Sequence, residues 1–123
     1  MLRASKRLLR PGGRLAFFTI QVGADLSPRD HRRAVTAGPP SVAAKDTGDL
    51  LRQAGFADVW EQDVSAAYLV TAKAWRVARL KYRDVLRPLD PAGYDERLAH
   101  GAEAIDAIER GWLRRTLHVA RRK

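Results

Sequence analysis

Hydrophobic residues switch between helix-like and strand-like spacing along the first third of the chain. Residues 3–10 have helical spacing and stop at Pro11, Gly12 and Gly13, because proline breaks the helical hydrogen-bond ladder and glycine accepts left-handed angles. The next run, RLAFFTIQ at residues 14–21, is apolar at successive rather than alternate positions. Such a run is typical of a strand covered on both faces, as in a parallel sheet flanked by helices.

Two helices and a second strand are predicted next. A serine followed by a proline and then an acidic residue favours a short helix from residue 28 to about residue 37, since these residues suit the first helical turn. Asp46 or Thr47 caps another helix, which ends at Gly55. Residues 56–64, FADVWEQDV, alternate in polarity, which predicts a strand with one wetter face.

From residue 66 onwards the spacing becomes helical again. One apolar face recurs at intervals of three and four, formed by Tyr68, Ala72, Trp75, Ala78, Tyr82 and Val85. Pro88 ends this long helix, and a second helix runs from about Tyr94 to Gly111. Residues 116–121, TLHVAR, predict a last short strand. Strands separated by helices favour an α/β architecture with some parallel pairing.

Three segments of this chain, in this order, resemble the C-terminal half of a class I S-adenosylmethionine-dependent methyltransferase. They are LLRPGGRLAFFTI at 8–20, DLLRQAGFADVWEQDVS at 49–65 and GWLRRTLHVARRK at 111–123. In that family they match the turn before the fifth strand, the joint leading into the sixth strand, and the antiparallel seventh strand that closes the sheet. The resemblance therefore implies an α/β fold: a partial Rossmann-like sheet of the last three strands, with a helical insertion before the final strand.

The resemblance also implies a division of the chain. Residues 1–65 correspond to the C-terminal part of the methyltransferase core, 66–111 to a helical insertion or lid, and 112–123 to a closing strand and basic tail. The implied cofactor is S-adenosylmethionine. The family's glycine-rich turn and ribose-binding acid belong to its N-terminal half and do not occur here. We therefore expect a truncated chain that binds the cofactor incompletely and is inactive alone.

The resemblance also indicates that residues 15–20 form an interaction surface. In the family the fifth strand lies between the fourth and the seventh. Without the fourth strand, this apolar stretch would be an exposed sheet edge, which invites pairing with another chain. We expect it to bind the N-terminal half that this chain lacks, or a second copy of itself.

Candidate site residues follow from where ligands bind in such folds. Ligands lie beyond the carboxyl ends of parallel strands, so Thr19 and Gln21 are candidate contacts to a small-molecule substrate. Tyr68, Trp75 and Tyr82 are expected either to line the substrate pocket or to be only core contacts of their helix. Alignment does most of the work in methyl transfer, so few catalytic residues are needed. His31 is the one candidate general base, and His118 is expected to face away from the cleft as a structural residue.

Composition narrows the remaining function classes. The 123 residues include no cysteine, which excludes disulfides and thiolate metal sites. The three histidines are not at metal-ligand spacing, so no metal site is expected. No apolar run reaches the roughly 18 residues that a membrane span requires, and we expect a cytoplasmic location.

The net charge of +9 leaves two alternatives open. The first is a small basic module whose long helix binds nucleic acid or an anionic membrane through Lys73, Arg76, Arg79 and Arg83. The scattered charge and the Pro-Gly-Gly and Ala-Gly-Phe elements speak against nucleic acid. The second alternative is a non-catalytic docking protein that keeps the half-fold as a binding surface.

Overall fold

Three strands form a single sheet in the order β1-β3-β2 in the computed structural model, which describes residues 1–39 and 46–123. The strands are β1 at Arg14–Val22, β2 at Phe56–Asp63 and β3 at Leu113–Arg122. β3 lies in the middle and is antiparallel to both neighbours. β1 and β2 therefore run parallel to each other without pairing directly, because the closing antiparallel strand lies between them, as the resemblance implies.

The helices cover both faces of this sheet. They are α1 at Leu2–Leu8, α2 at Pro28–Ala37, α3 at Thr47–Gln53, α4 at Ser65–Lys81, α5 at Arg83–Leu86 and α6 at Pro91–Glu109, with a 3-10 turn at Arg87–Leu89. The predicted cap of α2 is confirmed, since the Ser27 hydroxyl accepts a hydrogen bond from the Asp30 amide at 3.1 Å. Asp46 caps α3 in the same way. None of these helices combines the length and apolarity that a membrane crossing requires.

Two elements differ from their predicted bounds. The final strand begins at Leu113 rather than at residue 116, because the Gly23 amide binds the Trp112 carbonyl at 2.8 Å and draws the preceding turn onto β1. The long predicted helix breaks at Tyr82 between α4 and α5. The Tyr94 hydroxyl donates to the carbonyl of Arg79 at 2.7 Å. In a continuous helix, that carbonyl would instead accept a hydrogen bond from the amide of Arg83, so the contact with Tyr94 accompanies the break.

Apolar side chains from β1 supply two cores, one on each face of the sheet. On the face covered by α2, α4 and α6, Ile20 and Val22 pack against a cluster that contains fully buried Leu113. On the face covered by α1 and α3, Leu15 and Phe17 pack against a cluster that contains buried Leu51. We call these the lid face and the α3 face. This double use explains why β1 is apolar at successive positions, as the sequence predicts.

The outer edge of β1 is open. Gly23 donates to Trp112 at 2.8 Å, and Arg122 donates to Gly13 at 2.8 Å, at the two ends of the β1–β3 ladder. In an antiparallel pair, residues that exchange hydrogen bonds alternate with residues whose N–H and C=O point away. By this alternation, Ala16 and its even-numbered neighbours in β1 point their backbone groups outward. Within residues 1–39 and 46–123, no strand pairs with that edge.

The lid-face core should depend strongly on Leu113. Replacing this fully buried side chain with alanine removes packing from the cluster beneath the helical insertion. We expect Leu113→Ala to lower the free energy of unfolding by about 2–5 kcal/mol, measured by urea denaturation. Val77→Ala, at a position that is 65% exposed, should change it by no more than about 0.5 kcal/mol. Equal effects of the two substitutions would contradict the assigned core.

Candidate functional site

An open cavity of about 300 Å³ lies between the sheet and the helical insertion. It is bounded by Ile20 of β1, Ala37 at the end of α2, residues of α4 and residues of α6. We call it the lid cavity. It opens close to the carboxyl end of β1, which is the side of a Rossmann-like sheet where ligands bind.

α4 and α6 form the helical hairpin that walls the lid cavity. Arg76 donates to the Leu98 carbonyl at 2.9 Å, which ties the middle of α4 to α6. Lys73 and Glu109 form an ion pair across the same two helices at 3.1 Å. Gly101 lies opposite Arg79, and a β-carbon at residue 101 would be 3.4 Å from its guanidinium. Residue 101 and the Arg79 side chain therefore face each other across the cavity at van der Waals distance.

Two aromatic side chains of α4 line the lid cavity at different depths. Tyr68 packs against the lid-face core, and burial raises the pKa of its hydroxyl while the nearby Arg115 opposes that shift. The Arg115 guanidinium lies 5.6 Å from the Tyr68 ring and 4.0 Å from the Phe18 ring. Trp75 is 60% exposed. Tyr68 thus forms part of the floor of the cavity and Trp75 part of its rim.

The other sequence-predicted site residues do not join them. Tyr82 lies at the break between α4 and α5, is 52% exposed and does not line the cavity. His31 is exposed on α2 and is likewise absent from the cavity wall. Thr19 and Gln21 lie on the α3 face, on the opposite side of the sheet. The predicted set therefore separates, and only Tyr68 and Trp75 share the lid cavity.

Thr19 and Gln21 belong to a polar network with β3. The Thr19 hydroxyl and the His118 Nε2 are 2.8 Å apart, and Gln21 donates to the Thr116 hydroxyl at 3.1 Å. His118 is 2% exposed, stacks on Phe17 and lies 3.6 Å from a Glu61 carboxylate oxygen. Positions 19 and 118 project on the same side of the paired strands. His118 therefore lies with Thr19 on the α3 face and does not line the lid cavity.

A second open cavity, of about 500 Å³, lies on the α3 face. Its wall includes Phe17 and Thr19 of β1, Leu2 of α1 and Leu50 of α3. This wall is mostly apolar and adjoins the open edge of β1. We call it the edge cavity.

Sequence reasoning missed two polar residues of the lid cavity, Arg97 and His100 of α6. Arg79 also lines the cavity, whereas the sequence analysis considers it only as part of a basic helix that binds nucleic acid or an anionic membrane. The spacing of Arg97, His100 and the small Gly101 on one side of α6 was the available signal. Within the described ranges, no three histidine or acidic side chains converge as a metal site requires.

Asp63 joins β2 to the first turn of α4. Its carboxylate accepts from the Ser65 amide at 2.8 Å and from the Arg114 guanidinium at 2.7 Å. Partial burial alone would raise the pKa of Asp63, but the hydrogen bonds from Ser65 and Arg114 outweigh it and hold that pKa below 3.8. The ionised carboxylate thus fixes the start of the helical insertion against the sheet.

Comparison with known proteins identifies the fold. No protein-family model and no curated protein sequence matches the chain. Phosphoethanolamine N-methyltransferase 2 of Haemonchus contortus, solved with phosphomonomethylethanolamine and S-adenosylhomocysteine, has a TM-score of 0.81 at 14% identity over 98% of this chain. The cyclopropane synthase MmaA2 of Mycobacterium tuberculosis has a TM-score of 0.79 at 14% identity over 98%. A putative sarcosine dimethylglycine methyltransferase of Galdieria sulphuraria has 0.75 at 11% identity over 99%.

These likenesses extend over only part of each solved structure. The chain covers 29% of the Haemonchus protein, 48% of the cyclopropane synthase and 46% of the Galdieria protein. The expected fold is confirmed: this chain has the fold of part of an S-adenosylmethionine-dependent methyltransferase.

The Asp63 joint generates a pH-dependent prediction. Because the folded pKa lies below the ordinary value of 3.8, the carboxylate stabilises the fold above that pH, and its contribution is lost as the pH falls through the folded pKa. Asp63→Asn keeps an acceptor for Ser65 but loses the charge. Since Asp63 is partly exposed, we expect a loss of about 1 kcal/mol or less at pH 7, which should shrink as the pH falls below 3.8.

Urea denaturation across that pH range measures the effect. Asp84→Asn is the matched control, since it removes one exposed charge that forms no ion pair within the described residues. It should change the free energy of unfolding by no more than about 0.5 kcal/mol. A loss for Asp63→Asn that is the same at every pH would contradict the assigned role.

Proposed function

We propose that this chain is the C-terminal, substrate-facing portion of an S-adenosylmethionine-dependent methyltransferase that acts on a small molecule. One observation carries the proposal: the sheet has the order β1-β3-β2 with an antiparallel middle strand, and a helical insertion separates β2 from β3. The resemblance noted in the sequence implies this arrangement for the last three strands of the family. Fold likeness alone does not specify an activity, so the argument then rests on the site.

The lid cavity supports the small-molecule part of the proposal. Its volume of about 300 Å³ is at the lower end of the range for small-molecule sites. Methyl transfer from a sulfonium depends mainly on holding the acceptor in line with the methyl group. We assign Tyr68 and Trp75 to positioning the acceptor. Thr19 and Gln21 we assign to the sheet, since β3 already binds their polar groups.

The described residues do not fit the cofactor by themselves. Gly23 follows β1 directly, but a β-carbon there would lie 2.2 Å from the Gly111 carbonyl oxygen. Close packing of the backbone at residues 23 and 111 therefore explains why residue 23 is a glycine, so this glycine does not indicate a cofactor-binding turn. We derive no step of the reaction through the cofactor and assign none of its contacts to this chain.

The open edge of β1 and the edge cavity support a completing partner. A strand whose N–H and C=O groups are unpaired along one side can pair with another strand there. The apolar edge cavity beside β1 can receive side chains from such a neighbouring strand. We propose that further strands, in the same polypeptide or in another chain, pair with β1 and carry the cofactor contacts. A second copy of this chain at that edge is the alternative.

Contacts within the insertion weaken the reading as a basic binding module. Of the four cations in question, Lys73 is paired with Glu109 and Arg76 donates to a carbonyl of α6, so two of the four already bind groups of this chain. The second alternative, a docking protein without catalytic activity, would have the same open edge of β1. Only a measurement of activity separates it from the proposed enzyme.

Affinity for S-adenosylmethionine, measured by calorimetry, tests the proposal in two stages. The 123-residue chain alone should give no saturable binding up to roughly 1 mM. Protein tagged at the C-terminus of this sequence and purified from its native source should contain additional polypeptide, covalently joined or bound, and should bind the cofactor at micromolar concentration.

Two outcomes would contradict this account. Micromolar binding by the chain alone would show that the cofactor contacts lie within it. A native species that contains the completing polypeptide but binds no cofactor and transfers no methyl group would favour the docking protein.

A further inference from the structure

Basic side chains line the lid cavity, and no acidic side chain does so in the part of the chain that the structure describes. The described wall includes Arg79 from α4 together with Arg97 and His100 from α6, but no aspartate or glutamate. Cationic side chains that converge on a concave surface raise the local concentration of anions. This asymmetry distinguishes the cavity from the groove between α2 and α6, whose wall combines three arginines with Glu103 and Asp106.

Both arginines are available to a ligand. Arg79 forms no ion pair within the described residues, and its guanidinium lies 5.7 Å from the Trp75 ring centre. Arg97 is paired with Asp90 at 3.5 Å, but the two side chains are 59% and 60% exposed. Exposed pairs of this kind contribute little free energy, so an anion in the cavity can compete for Arg97. Guanidinium groups also match carboxylate and phosphate oxygens in geometry.

The rest of the wall is apolar. Ile20 and Ala72 contribute aliphatic surface, Tyr68 adds its half-buried ring, and Trp75 adds an indole at the rim. A ligand that satisfies both parts of the wall has an anionic group and a planar or apolar body. An inorganic anion uses only the cationic part, and a neutral aromatic compound uses only the apolar part.

We propose that the lid cavity binds a small organic anion, with its carboxylate or phosphate on Arg79 and Arg97 and its apolar body against Tyr68 and Trp75. His100 adds a third polar contact on the α6 side, where its Nε2 lies 3.3 Å from the Thr36 carbonyl. That this anion is the methyl acceptor rests on the proposed function; the binding site itself does not.

Calorimetric titration of the 123-residue chain with matched probes tests the site. Phenyl phosphate and benzoate carry the two candidate anionic groups, benzyl alcohol is the neutral analogue, and inorganic phosphate lacks the ring. At least one aromatic anion should bind about tenfold or more tightly than both benzyl alcohol and phosphate. Whichever of the two binds more tightly identifies the preferred anionic group.

Substitutions then locate the binding. Arg79→Gln and Arg97→Gln should each weaken binding of the preferred anion by about tenfold. Arg83→Gln is the matched control, because it removes the same charge from the same insertion outside the cavity, and it should change the affinity less than twofold. Trp75→Ala should weaken the aromatic anion but leave inorganic phosphate unchanged. Far-UV circular dichroism checks that each variant is folded.

The outcomes separate this proposal from the proposed function. Equal affinity for anions and for benzyl alcohol in the unsubstituted chain would overturn the site, whether or not the variants fold. An equal effect of Arg83→Gln and Arg97→Gln would also overturn it, since binding would then reflect net charge. Tight anion binding by a chain whose complete protein transfers no methyl group would leave the site standing and refute only the enzyme.

Discussion

The one-sided pairing of β1 is the constraint from which the rest of this structure follows. β3 satisfies the backbone groups of alternate β1 residues, and the remaining backbone groups point to an open edge. A strand with apolar side chains on both faces and an unpaired row along one side resembles an interior strand of a larger sheet. The chain's short coverage of its structural neighbours agrees with this interpretation.

The helical insertion joins the sheet where β2 ends and packs on its lid face. Asp63 and Ser65 bind residues of β3 where α4 begins, and α4 and α6 then hold each other through side chain to backbone contacts. This hairpin leaves small residues and arginines facing the space above β1. The hairpin thus forms one wall of the lid cavity above the sheet.

Sequence reasoning located helix ends because their signals are local, and the resemblance to a known family then implied how the elements assemble. Ser27, Asp46 and Gly55 mark helix ends by their own backbone preferences, and all three lie where the sequence predicts. The Tyr82 break was not predictable, since it depends on the hydroxyl of Tyr94 reaching across from α6. The order of the strands was not evident from periodicity, which cannot show that β3 returns between β1 and β2.

The candidate site was only partly predictable for a similar reason. Tyr68 and Trp75 share a helical face, so their spacing places them together. Which face of β1 a residue such as Thr19 occupies depends on the register with β3, and a shift of one residue exchanges the two faces. The cationic wall arises from two helices brought together by tertiary contacts, and no single segment shows it.

Hydrogen exchange of the β1 amides, resolved by NMR in the isolated monomeric chain, tests the central claim most directly. The amides of Phe17, Thr19 and Gln21 should be protected about a hundredfold or more relative to those of Ala16, Phe18 and Ile20, since only the first set bonds to β3. In the complete protein both sets should be protected. Equal protection of the two sets in the monomer would mean that the edge is already paired, and would contradict the account.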